Sequence, residues 1–260
     1  MMRKYLQGMA ALAAIVGSLY TAPVLAHEHG EGPALLNPGF SFDGFLGRYD
    51  KAALARGFQV FHEVCSNCHS LNLVAYRNLS AVGLTEEEIK AVAAERQKQD
   101  GPADDGTYFQ RPGRPADRYI APFPNEKAAA AAYGAAPPDL SLMAKARHGG
   151  PNYIYSLLLG FEDTPPEGVS IPDGKYYNKY FASPAISMPP PVQDDAVTYK
   201  DGTKATKEQI AKDVAVFLNW TAEPELDARK SLGLNVLGYL GLLTVLLYAL
   251  KRQIWKDVHH

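Results

Sequence analysis

The sequence predicts a mainly α-helical protein with long loop insertions and one membrane helix at its C-terminus. Apolar side chains recur at helical spacing after Lys51 and again after Thr206, which indicates two amphipathic helices. Stretches rich in glycine and proline at 99–125 and 161–200 predict long irregular loops between helices. The apolar run 232–250 contains no charge and is long enough to cross the hydrocarbon core of a bilayer.

The two amphipathic helices are expected to pack against each other. The first spans Lys51 to Val64 with Asp50 as its N-cap, and the second opens at a capping box of Thr206 and Gln209. The apolar stripes consist of Leu54, Phe58 and Phe61 on the first helix and Ile210, Val214, Phe217 and Leu218 on the second. Gly57 weakens the first helix by about 1 kcal/mol, so we expect a close helix crossing there.

Two shorter helices are predicted in the middle of the chain. Thr85–Glu88 forms a capping box that opens a charged surface helix to about Lys98. The alanine run Ala128–Ala132 predicts a short helix that ends near Gly134. The charges of the first helix indicate that it lies at the surface.

Another helix pair follows the double proline at 137–138. Asp139 or Ser141 is expected to cap a helix that continues to about His148. Gly149–Pro151 ends that helix, and Asn152 opens an apolar one that belongs to the core.

The stretch Cys65–His69 has the C-x-x-C-H pattern by which a c-type haem is attached. Both thiols on one turn can bond the two vinyl groups of a porphyrin, and the histidine that follows can ligate its iron. A thioredoxin-like pair would need a strand–helix context, and a zinc site would need about four ligands. Cys65 and Cys68 are the only cysteines, so attachment of haem leaves none for a disulfide.

The chain ends divide the protein into predicted compartments. Residues 1–26 have the basic start, short apolar run and small-residue ending of a secretory signal peptide, with a retained N-terminal anchor as the alternative. Residues 27–230 then form a periplasmic haem domain and 231–251 a transmembrane anchor. Basic residues in 252–260 favour a cytoplasmic tail by the positive-inside rule.

The charge of the predicted periplasmic domain is more telling than the charge of the whole chain. Residues 27–230 hold 21 basic and 27 acidic residues, a net charge of −6, whereas the whole chain has −2. An acidic domain argues against nucleic acid as a partner. It favours a basic protein partner attracted over long range, or else ordinary charge that keeps the domain soluble.

The axial position opposite His69 has three candidate ligands. Met143 lies in the middle of a predicted helix on a packed face, and His148 stands beside a double glycine. Met188 precedes Pro189–Pro191, and prolines hold a loop fixed before a ligand binds. We favour Met188, because a thioether must be held at a set distance from iron. Two protein ligands would exclude small ligands such as oxygen and favour electron transfer.

With these features in place, the sequence resembles the cytochrome c1 family, the haem subunits of ubiquinol–cytochrome c reductase, and in particular its alphaproteobacterial members. The resemblance covers nearly the whole chain after the predicted signal. Its motifs occur in the order Cys65–Ser70, Arg111–Gly113, Pro137–Ser141, Ala146–Gly150, Tyr176–Asn178, Met188–Pro191 and the C-terminal apolar run. The resemblance implies a class I cytochrome c-like haem domain.

The resemblance also implies roles for seven residues. Cys65 and Cys68 would bind the vinyl groups of one covalent haem, and His69 and Met188 would ligate its iron. By the same resemblance, Arg147 would pair with a haem propionate and Tyr153 would hydrogen-bond near that propionate. Pro138 would pack on the porphyrin ring.

The implied function is a single-electron relay rather than catalysis by this chain alone. A Rieske iron–sulfur protein would reduce the haem, which would reduce a soluble or anchored cytochrome c in the periplasm, beside a cytochrome b subunit in the plasma membrane. Two features of some bacterial relatives are absent: a disulfide that braces the methionine loop and a long acidic insertion. The alternatives are an anchored haem sensor or peroxidase with an open axial site, and a structural assembly subunit.

Overall fold

The computed structural model describes residues 33–257, so the predicted signal peptide, 1–26, lies outside the described residues. The described part is mainly helical. Its α-helices are α1 Lys51–Glu63, α2 Glu86–Ala94, α3 Glu126–Tyr133, α4 Met143–Ala146, α5 Gly150–Leu159, α6 Lys207–Ala222 and α7 Leu226–Ile254. Two 3-10 segments, Cys65–Asn67 and Tyr76–Val82, follow α1.

The sheet content of the described residues is small and consists of antiparallel two-stranded pairs. The strands are β1 Leu71–Ala75, β2 Gln97–Asp100, β3 Phe109–Pro112, β4 Arg118–Tyr119, β5 Tyr176–Tyr177 and β6 Ala185–Ile186. β1 pairs with β4, β2 with β3, and β5 with β6. The predicted fold class, mainly helical with long insertions, is therefore confirmed.

The crossing of α1 and α6 forms the centre of the core, as the sequence predicts. The ring of Phe217 on α6 lies 5.7 Å from the ring of Phe58 and 5.5 Å from that of Phe61. Gly57 is buried at the crossing, where a Cβ atom would overlap the backbone oxygen of Asp213 and lie 2.7 Å from the Cβ of Phe217. Glycine is used here because the two backbones approach too closely for any side chain.

The predicted helix caps are largely present. Asp50 accepts hydrogen bonds from the backbone N–H groups of the first turn of α1. Thr85 and Glu88 form the reciprocal capping box of α2. Thr206 accepts from the backbone N–H of Gln209 at 3.2 Å, but the side chain of Gln209 donates to Asp213 instead of returning to Thr206. The box at α6 is therefore half formed.

The prediction of a helix to Lys98 followed by a structureless loop was wrong. α2 ends at Ala94, and β2 then pairs with β3. Lys98 and Arg111, which are paired across the two strands, both bond the carboxylate of Asp117, at 2.5 and 2.7 Å. This ion network, formed by residues distant in sequence, stabilises a hairpin that local propensity does not indicate.

The predicted bounds of the helices around Gly149 also need correction. α4 begins at Met143 and ends at Ala146, and neither Asp139 nor Ser141 caps it. Both side chains bond the backbone near β1 instead, with Asp139 accepting from the N–H of Asn72 at 2.7 Å. α5 begins at Gly150, two residues before the predicted start.

The long C-terminal helix, α7, begins in the domain and continues beyond it. Leu226 in its first turn is buried in the core, whereas the apolar side chains from Leu232 onward are exposed. Among the described residues, α7 is the one helix that is long and apolar enough to cross a membrane. The apolar run of 232–250 covers about 29 Å at 1.5 Å per residue, close to the thickness of the hydrocarbon core.

Candidate haem site

The end of α1 places both thiols and the histidine on one tight turn. After Glu63 the chain continues into the 3-10 turn Cys65–Asn67. The backbone N–H groups of Cys68 and His69 both donate to the carbonyl oxygen of Cys65, at 3.1 and 2.9 Å. No linker separates this turn from the core helix, so packing of α1 fixes the position of all three side chains.

Ser66, between the two cysteines, stabilises the turn from its buried side. It is fully buried, and its hydroxyl donates to the carbonyl of His62 at 2.7 Å. Arg96 donates to both the hydroxyl and the carbonyl of Ser66, at 2.9 and 3.0 Å. The sequence did not predict a role for either residue. The C-x-x-C-H pattern places no constraint on the residues between the cysteines, and Arg96 lies outside the motif.

The imidazole of His69 is oriented by the loop that contains Pro138. Its Nδ1 lies 2.8 Å from the carbonyl oxygen of Pro138, and because a carbonyl can only accept, Nδ1 carries the hydrogen. Burial lowers the pKa of His69, so the ring is neutral at neutral pH and Nε2 keeps its lone pair. This is the arrangement that metal-ligating histidines use.

The loop containing Pro138 is itself anchored to the residues that follow His69. Asp139 accepts hydrogen bonds from the hydroxyl of Ser70 at 2.8 Å and from the backbone N–H of Asn72 at 2.7 Å. The backbone N–H of Leu140 donates to the carbonyl of Ser70 at 3.0 Å. The motif Pro137–Ser141 therefore supports the proximal histidine through backbone as well as side-chain contacts.

Both cysteines are partly buried, and burial affects the thiol of Cys65 most. They are not joined by a disulfide. Burial raises the pKa of Cys65 to about 12, and the neighbouring Cys68 adds to that shift. A raised pKa argues against a redox-active pair, because such pairs depend on a thiolate of low pKa.

Met143 and Met188 lie in different surroundings. Met143, in the first turn of α4, packs against the hydrophobic core. Met188 is half-buried in the irregular segment after β6. The segment before it is joined to α5 by Asn178, a fully buried residue whose side chain donates to the carbonyl of Leu157 at 2.7 Å.

The remaining predicted residues lie on α5 and just before it. Arg147 is exposed, and within residues 33–257 its guanidinium forms no ion pair but donates to the carbonyl of Ala146 at 3.1 Å. Tyr153 is half-buried in the first turn of α5, and Pro138 is exposed apart from its carbonyl. Among the described residues, hydrogen bonds join Pro138 to His69 but do not join Arg147 or Tyr153 to the Cys65–His69 turn.

Comparison with known proteins identifies the family of the chain. The family model "Cytochrome C1 family" matches residues 40–258. The chain is 58% identical to cytochrome c1 of Rhodospirillum rubrum, over 88% of this chain and 90% of that protein. It is 46% identical to the mitochondrial cytochrome b-c1 complex catalytic subunit of Candida albicans, over 99% of this chain and 92% of that protein.

A third relative differs in length. It is cytochrome b/c1 of Bradyrhizobium diazoefficiens, which is 46% identical over 96% of this chain but only 39% of its own length. The relatives therefore include bacterial and mitochondrial proteins, and two of them match from end to end. The chain belongs to the cytochrome c1 family, of the alphaproteobacterial type, and its cofactor is a c-type haem.

Proposed function

We propose that this chain holds one haem through thioether bonds to Cys65 and Cys68, with the iron between His69 and Met188. As a cytochrome c1, the chain is the electron-carrying subunit of the cytochrome bc1 complex and is not an enzyme on its own. The bound haem supplies an iron that alternates between ferric and ferrous states, one electron at a time. The electrons come from the Rieske iron–sulfur protein and leave to a periplasmic cytochrome c.

The hydrogen bond from His69 to the carbonyl of Pro138 carries this proposal. It occupies Nδ1 and leaves Nε2 as the nitrogen available to iron, directly after the two cysteines on the same turn. Because Asp139 fixes the Pro138 loop to Ser70 and Asn72, the imidazole is held in one orientation before haem binds. A ligand that need not reorient favours rapid electron transfer.

Met188 is the proposed distal ligand. The prolines at 189–191 restrict the backbone after it, and Asn178 fastens the preceding segment to α5. Met143, the other methionine among residues 33–257, is engaged in the core. Methionine opposite histidine raises the reduction potential relative to a second histidine, as an acceptor of electrons from a Rieske centre requires.

Three further side chains are proposed to contact the ring. The unpaired guanidinium of Arg147 is suited to a haem propionate, because a charged hydrogen bond of this kind is roughly twice as strong as a neutral one. Tyr153 would donate a hydrogen bond near the same propionate, and Pro138 would offer an apolar contact to the ring.

The partners and the orientation in the membrane follow from the same family. The chain is a membrane-anchored subunit that assembles with cytochrome b and the Rieske protein. The Bradyrhizobium relative is named cytochrome b/c1, which supports cytochrome b as a direct neighbour. We propose that residues 27–230 face the periplasm and that the basic end after α7 is cytoplasmic. The net charge of −6 on 27–230 suits a basic cytochrome c as acceptor.

The test is a redox titration of the membrane-extracted complex carrying Met188→Leu, with Met143→Leu as the matched control. Loss of the thioether is expected to lower the midpoint potential and to stop electron flow from the Rieske centre, whereas the control keeps both. A pyridine haemochrome spectrum and extraction with acidified acetone test covalent attachment. An unchanged midpoint in Met188→Leu, or rapid binding of carbon monoxide by the reduced wild-type protein, would contradict the proposed ligation.

A further inference from the structure

The loop of residues 39–48, here called the Phe45 loop, exposes two adjacent apolar side chains. The side chains of Phe45 and Leu46 are 62% and 69% exposed. The base of the loop is part of the core: Phe40 and Phe42 are buried and stacked with ring centroids 5.0 Å apart, and Tyr49 contacts Phe42 at 5.1 Å. The exposed tip therefore projects from a folded base.

The backbone of the tip has a defined conformation. The N–H of Asp43 donates to the carbonyl of Phe40, and that of Arg48 to the carbonyl of Ser41, both at 3.0 Å. Gly44 has a φ of +69°, which favours glycine, and at Gly47 a Cβ would overlap the carbonyl oxygen of Asp43. Two glycines thus allow a tight turn that presents Phe45 and Leu46 together.

The Phe45 loop is fixed to the start of the membrane anchor. The ammonium group of Lys230 donates to the carbonyl oxygens of Phe42, Gly44 and Gly47, at 2.7, 2.6 and 3.1 Å. A lysine ammonium has three donors, and all three are used. Arg48 adds a hydrogen bond to the hydroxyl of Ser231 at 2.8 Å.

This attachment sets the depth of the loop relative to the bilayer. The apolar run of α7 begins at Leu232, and Lys230 lies about 3 Å further out along the helix axis at 1.5 Å per residue. The polar headgroup layer on each side of the hydrocarbon core is roughly 5–8 Å thick. With 232–250 placed across the hydrocarbon core, the carbonyls bonded to Lys230 are expected to lie within that layer.

We propose that Phe45 and Leu46 insert into the boundary between lipid headgroups and acyl chains, as a second lipid contact beside α7. Aromatic and aliphatic side chains are the ones that interfacial segments bury at this depth. Two adjacent side chains are far smaller than the area of roughly 800 Å² that each partner contributes to a typical protein interface.

The test is a nitroxide label at Leu46→Cys in the full complex, in phosphatidylcholine nanodiscs. The matched control is Tyr108→Cys, because Tyr108 is 64% exposed on a loop that no described hydrogen bond joins to α7. Collision with oxygen, which concentrates in lipid, is compared with collision with a water-soluble nickel chelate. Unchanged haem absorbance verifies that each variant folds.

We expect the ratio of oxygen to nickel accessibility to be several-fold higher at 46 than at 108. High nickel accessibility at 46 would overturn the proposal by placing the tip in water. Protection from both reagents would also overturn it, because the tip would then be buried against a protein subunit. Neither outcome depends on which residues ligate the haem iron.

Discussion

The two segments that supply the proposed iron ligands are held in place by different means. The Cys65–His69 turn continues directly from α1, and Ser66, Arg96 and the Pro138 loop fix it from both sides. The segment before Met188 contains only the two-residue strands β5 and β6. It is joined to the C-terminal end of α5 by the side chain of Asn178, which donates to Leu157, and by the backbone N–H of Lys179, which donates to Gly160.

This difference separates the proximal side of the site from the distal side. We expect the proximal turn to share the stability of the core, because the C-terminal half of α1 packs against Phe217 of α6. The distal segment depends on a few local bonds and on its prolines. We therefore expect damage to the core to release both sides, and damage at Asn178 to release the Met188 side alone.

The largest effect is expected for Gly57→Ala, which forces α1 and α6 apart. The added Cβ would overlap the backbone of Asp213, and overpacking of this kind costs about 3 kcal/mol of unfolding free energy. Chemical denaturation followed by haem absorbance measures this loss. If the crossing were not tight, alanine would raise stability by about 1 kcal/mol through its helix propensity. Ala55→Gly, at an exposed site on α1, gives the size of that propensity effect.

A smaller and more local effect is expected for Asn178→Ala. The change leaves the carbonyl of Leu157 and the N–H of Tyr180 without their partner, at a cost of about 2 kcal/mol. The methionine–iron charge-transfer absorption should weaken while covalent haem is retained. Lys179→Ala, which removes a neighbouring surface ion pair with Glu162, is the control and should change little. Loss of the covalent haem in Asn178→Ala would show that the two sides are not separable.

We expect the ion network that joins Asp117 to the β2–β3 hairpin to weaken in acid. Hydrogen bonds from Arg111 hold the pKa of Asp117 well below its ordinary value. The carboxylate therefore stabilises the fold above the unfolded pKa of about 3.9, and this contribution is lost as the pH falls below it. Asp117→Asn should lower stability at pH 7 and flatten its decline in acid. The exposed Asp104→Asn is the control, and equal acid profiles for the two variants would contradict this account.

The smallest effect is expected for Arg147→Gln. Removal of a positive charge near the haem favours the ferric state, so the midpoint potential should fall, but by less than in Met188→Leu. Redox titration measures the shift, with Lys145→Gln on the exposed side of α4 as the charge-matched control. A midpoint equal to that of the control would argue against a propionate contact for Arg147.

Sequence patterns predicted α1 and its crossing with α6 well because the determinants of these elements are local. One continuous stretch of sequence contains the N-cap at Asp50, the apolar stripe of α1 and the Cys65–His69 motif. The glycine at 57 by itself indicates the close approach of the two helix backbones. Periodicity and spacing are sufficient for such elements.

The features that the sequence did not reveal depend on pairs of residues far apart. The β2–β3 hairpin needs Asp117 to bond two cationic side chains, and the lock on the haem turn needs Arg96 to meet Ser66. Asp139 fits the pattern of a helix cap but bonds the backbone at Asn72 instead. Nothing local distinguishes these side chains from ordinary surface residues.

The short connection between α6 and α7 has a consequence for how the complex works. α6 ends at Ala222 and α7 begins at Leu226, and Lys230 is held by three backbone carbonyls of the domain. These bonds restrain the domain relative to its membrane helix. We therefore expect movement of the electron donor, rather than of this domain, to bring the donor close to the haem.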